Sequence, residues 1–76
     1  MKQKEYVIIG YDKDNDCYIE LYSNNNYNKV IIMAKKLKRL VQQDRLLNLY
    51  NNEPLDWLEV VDRYNPSAVY WASYKD

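Results

Sequence analysis

Two short apolar runs separated by a handful of polar residues constrain this chain more than any other feature. "EYVIIGY" (residues 5–11) and "CYIELY" (residues 17–22) are rich in β-branched and aromatic side chains, and the "DKDND" between them is turn-forming. This order predicts two antiparallel strands joined by a five-residue loop, residues 12–16. A symmetric loop sets Val7, Ile9 and Tyr11 on one face with Leu21, Ile19 and Cys17, a set that reads as core. Tyr6, Ile8 and Gly10 then share the other face with Tyr22, Glu20 and Tyr18.

The apolar period changes after "SNNN", whose side chains can accept bonds from the free amides of a first helical turn. Val30, Met33, Ala34, Leu37, Leu40 and Val41 follow at spacings of three and four, which predicts an amphipathic helix. Asp44 would fall within that stripe, so the regular helix is expected to end near Gln43. Ile31 and Ile32 lie off the stripe.

"NNEP" is a breaker. Within residues 53–64, "DWLEVVDRY" fits either a strand, alternating Leu58 and Val60 against Trp57 and Val61, or a helix capped by Asn52 with Pro54 in its first turn. The strand is preferred, because the turn-like "NPS" and the aromatic "AVYWASY" supply a hairpin partner. The predicted order is strand, strand, helix, strand, strand. That order defines a two-layer α+β fold, an antiparallel sheet of about four strands with one main helix on one face.

At 76 residues the chain is expected to form one small domain, residues 1–76, near the lower size at which a core holds without disulfides or metals. The only cysteine is Cys17, so no internal disulfide can form. The apolar stretch at the start is too short for a signal peptide or membrane span, and a cytoplasmic protein without membrane contact is expected. Abundant Asn, Lys, Tyr and Ile beside one Gly point to an AT-rich bacterial genome or its phage.

Formal charge balances at eleven cations and eleven anions, but unevenly. Residues 29–45 hold six cations and one anion, while residues 12–20 and 53–62 are acidic.

Asp12, Asp14 and Asp16 alternate as in the opening of a calcium loop. Such a loop needs Gly at its sixth position and Glu at its twelfth, and here those positions hold Cys17 and Ser23, so a hairpin turn is expected and no metal site. The chain lacks histidine, which removes the commonest general base and the usual triads. Cys17 beside aspartates is poorly placed to ionise, and a single Gly10 excludes a Gly-rich phosphate loop. No enzyme activity and no cofactor are expected.

Nine Tyr, two Trp and no Phe is a choice suited to surfaces part apolar and part wet. One helix covers only one sheet face, so the other is expected to be exposed and to carry Tyr6, Ile8, Tyr18, Tyr22, Trp57 and Trp71 as an interaction surface. The expected function is a non-catalytic protein-interaction module, such as a small accessory protein of a phage or mobile element. Its partner is another copy in a homodimer or a host protein. The competing reading is a nucleic-acid-binding regulator using Lys35, Lys36, Lys38 and Arg39 on the helix.

Overall fold

The computed structural model describes residues 4–74, and the first three residues, which flank the N-terminal apolar stretch, lie outside it. Its elements are β1 (Tyr6–Asp12), β2 (Cys17–Asn24), α1 (Tyr27–Gln42), β3 (Trp57–Asp62) and β4 (Asn65–Tyr74). All neighbouring strands are antiparallel, in the order β2-β1-β3-β4, and α1 packs on one side of the sheet. The architecture is α+β, as the order of periods predicts. No helix among the described residues is long and apolar enough to cross a membrane.

The helix starts where an Asn can cap it. Asn26 has extended backbone, and its side chain accepts from the amide of Lys29 at 3.3 Å. At the other end Asp44 adopts φ 57°, which reverses the chain. The Arg45 amide donates to the Leu40 carbonyl (2.8 Å) and the Asp44 amide to that of Val41 (3.1 Å), a Schellman closure. The stripe read from the sequence turns inward, with Val30, Ala34 and Val41 buried and Met33 and Leu37 packed beside them. Ile31 also meets the core, whereas Ile32 stays exposed.

Residues 57–62 form the strand, not the alternative helix. Leu58 and Val60 point to the helix and are fully buried, and they alternate with Trp57, Glu59 and Val61 on the opposite face.

The first hairpin departs from the expected register. Its loop has four residues, Lys13 to Asp16, because Asp16 takes φ 49° and lets Asp12 pair with Cys17. Moving the closing pair by one residue exchanges the faces of β1. Ile8, with no exposed surface, and Tyr6 turn to the helix. Val7, Ile9 and Tyr11, expected in the core, turn away from it. A bulge between Ile8 and Ile9 lets Ile19, Leu21 and Tyr22 all meet the core from β2.

Gly10 faces the helix side opposite Ile19, not a tyrosine, and it makes room for Leu55. A Cβ there would lie 2.6 Å from Leu55 Cδ1. Leu55 has no exposed surface and comes from the segment between α1 and β3, directly after the "NNEP" breaker. That segment docks by main-chain bonds, Leu55 to Leu46 (2.9 Å) and Asp56 to Tyr11 (2.8 Å). Together with α1 it fills one side of the sheet.

The second hairpin turns at Arg63–Tyr64, so "NPS" belongs to β4 instead of forming the turn. Val69 pairs with Val61 and Trp71 with Val60, which leaves Tyr70 as an extra residue in a bulge. That insertion breaks strict alternation. Trp71 packs against the core while Val69 stays exposed.

Candidate functional site

The side of the sheet away from α1 carries a row of four aromatic rings, one from each strand. Tyr18 of β2 pairs with Tyr11 of β1, Tyr11 with Trp57 of β3, and Trp57 with Tyr74 of β4. Cross-strand neighbours on one face are close enough to touch. Tyr11 and Trp57 stack with centroids 4.1 Å apart and planes 16° from parallel, Tyr18 leans on Tyr11 at 4.6 Å, and Tyr74 on Trp57 at 5.3 Å. The outer rings are the open ones, Tyr18 at 54% and Tyr74 at 60% exposure.

Beside this row the same face holds a groove of about 380 Å³. Val7, Ile9 and Val61 supply apolar lining, Tyr18 and Pro66 contribute further lining, and Glu20, Glu59, Asp62 and Arg63 bring charge. The Trp57 indole donates to Glu59 at 2.9 Å, and Arg63 pairs with both Glu5 and Glu20. Burial, then the Glu59 carboxylate, pushes the Tyr18 phenol upward. The Tyr11 hydroxyl donates to Asp16, and chiefly for that reason its pKa is pushed up to about 12. Both phenols stay protonated at neutral pH and keep their hydroxyl donors.

Of the six residues expected on the exposed face, two are there, Tyr18 and Trp57. Tyr6, Ile8, Tyr22 and Trp71 lie on the helix side, against the core, because of the shifted hairpin register and the Tyr70 bulge. Tyr11, Tyr74 and Glu59, which the sequence reading did not select, complete the surface. A regular aromatic alternation marks Tyr74, but nothing in the sequence separates Tyr11 from a core residue without the register. Leu49 and Tyr50, each 87% exposed, form a second apolar prominence in the segment following α1.

Lys35, Lys36 and Arg39 are exposed on the outer side of α1, with Lys38 half-buried between them. They lie on the layer opposite the aromatic row.

Asp12 and Asp14 of the first hairpin come together with Glu53, their carboxylates within 4.8 Å of one another. Asp12 is buried and already accepts from the side-chain amides of Asn15 (2.9 Å), Asn48 (2.9 Å) and Asn51 (2.8 Å). These bonds, Asn51 first, hold its carboxyl down at about 2. The three side-chain amides converge on Oδ2 of Asp12, and those of Asn48 and Asn51 fasten the segment after α1 to the hairpin. The arrangement reads as a structural joint.

Fold and surface together define a small α+β domain with one sheet face left open and lined with aromatic rings. No family model, curated protein or solved structure matches the chain.

Proposed function

We propose that this chain is a non-catalytic module that binds another protein through the open sheet face, working in a reducing compartment such as the cytoplasm. The observation that carries this reading is the four-ring row. Tyr18, Tyr11, Trp57 and Tyr74 form a continuous, partly desolvated surface that no other part of the described chain covers. Tyrosine and tryptophan anchors of this kind dominate binding energy at protein interfaces. Packing them against a partner contributes at roughly 25 cal/mol per Å² of apolar area, before association entropy is subtracted.

A different protein fits this face better than a second copy. Arg63 is already engaged with Glu5 and Glu20, so two copies face to face would set an excess of carboxylates against itself.

The test is photo-crosslinking in a lysate of the native host, with a benzophenone side chain placed at position 18 or at position 36. A discrete protein adduct from position 18, suppressed by unlabelled wild type but not by Tyr18→Asp, supports the reading. Adducts only from position 36, or retention on DNA lost in Lys35→Glu with Lys38→Glu, would replace it with the basic-helix reading.

A further inference from the structure

We propose that the segment this face takes is basic, and that a lysine or arginine side chain of the partner enters the groove between Tyr18 and Glu59. This inference rests on the protein-binding reading above and specifies its chemistry.

Charge is the first ground. Glu5, Glu20 and Glu59 stand on this side of the sheet against the one guanidinium of Arg63, which is spent on two of them. Of the groove's carboxylates, Glu59 and Asp62 have no cationic partner among the described ion pairs, and the two oxygens of Asp62 accept from the Tyr64 amide and the Tyr70 hydroxyl. The groups that hydrogen-bond to Glu59, the Trp57 indole and the Tyr18 phenol, are both neutral. A neutral donor orients a carboxylate and leaves its charge uncompensated, so a cation arriving there meets an oriented anion.

Shape and ring chemistry are the second ground. The groove at Glu59 has the aliphatic lining of Val7, Ile9 and Val61, which suits the methylene stem of a lysine or arginine. Tyr18 lines the same groove and continues into the stacked rings of Tyr11 and Trp57. An aromatic face within about 6 Å of a cation attracts it through the ring quadrupole, most strongly where water is partly excluded. Stem, rings and carboxylate are thus presented together. An acidic segment would meet Glu20 and Glu59 with like charge, and a purely apolar one would bury Glu59 without a counter-ion.

The probe is a soluble peptide of alternating lysine and glycine, titrated into the isotope-labelled full chain at physiological salt. A glutamate–glycine peptide and a leucine–serine peptide are the controls. The expected result is saturable binding of the lysine peptide alone, with shifts at Ile9, Tyr18, Glu59 and the Trp57 indole. Glu59→Gln should weaken it about tenfold or more, a loss of about 1.4 kcal/mol or more, with the spectrum otherwise native. Equal binding of the leucine–serine peptide, or a lysine response unaffected by Glu59→Gln, would overturn the inference while leaving the protein-binding face in place. Failure of all three peptides together with an unchanged crosslink in Glu59→Gln would overturn it too. Loss of every position-18 adduct would instead remove the reading on which it rests. Salt-sensitive growth of oligomers, abolished by Lys35→Glu with Lys38→Glu, would make the helix of a second copy the occupant and refute a separate partner.

Discussion

Asp12 is held by the amides of Asn15, Asn48 and Asn51, and Asn48 is itself buried with its own carbonyl and amide groups bonded to Tyr50, Glu53 and Asn52. Hydrogen bonds to a carboxylate favour its charged form, which is why its pKa falls from 3.8 to about 2. The sign follows from linkage: the unfolded chain takes up this proton at higher pH than the folded one. The stabilisation is therefore complete above about pH 4 and is lost as pH falls through 4 towards 2. Asp12→Asn should lower the thermal midpoint at pH 7, and the gap from wild type should narrow steadily as pH falls from 4 towards 2. A gap independent of pH would show that the charge is not what the amides hold. Gly10 offers a second residue-scale test, since a Cβ there runs into Leu55. Gly10→Ala should cost about 1–3 kcal/mol in denaturant unfolding, and less in a Leu55→Val background, because the smaller side chain relieves the overlap. Equal cost in both backgrounds would place the strain elsewhere.

At the scale of elements, ends and turns decide more than propensity does. Replacing Asn26 by Ala removes the side-chain acceptor from the first turn of α1 and should cost about 1 kcal/mol. Asn52 sits at φ 59° at the close of a single turn, its amide bonded to the Asn48 carbonyl at 2.8 Å. Glycine tolerates that backbone best, so Asn52→Gly should be neutral or stabilising by up to about 0.5 kcal/mol, and Asn52→Val destabilising by about 1 kcal/mol or more. Urea midpoints ordered the other way would contradict the left-handed assignment.

The elements themselves were legible in the sequence, because Val30 to Val41 repeat every three to four residues and Trp57 to Val61 alternate. The faces of the first hairpin were not. Any of four turn residues could take the left-handed backbone that Asp16 takes, and this single choice decides whether Tyr11 or Asp12 closes the hairpin. Val7, Ile8 and Ile9 are apolar on both faces, so composition could not settle which face is inside. The Tyr70 bulge was silent for the same reason, as both its neighbours are hydrophobic. Leu55 was hidden directly after a polar breaker, and only the space above Gly10 shows that it belongs to the core.

Across the whole molecule, the basic cluster and the aromatic row lie on opposite layers. Lys35, Lys36 and Arg39 lie outward on α1, and the rings with Glu20 and Glu59 lie on the bare face of the sheet. The two outer rings of the row differ from the two inner ones in what they do for the fold. Tyr18 and Tyr74 are more than half exposed, so truncating them removes little buried area, whereas Trp57 is half-buried between Tyr11 and Tyr74 and donates to Glu59. Tyr18→Ser with Tyr74→Ser should therefore change unfolding free energy by less than about 1 kcal/mol, while Trp57→Ala should cost about 3 kcal/mol. Binding should show the reverse balance for the outer pair, since side chains exposed in the free protein are the ones a partner can still bury. Urea unfolding and the position-specific crosslink, measured on the same variants, separate the two effects. The double serine variant should keep its stability and lose the adduct formed by a benzophenone placed at the neighbouring position 72. An adduct that survives while stability falls would mean the rings serve the sheet itself and not a partner.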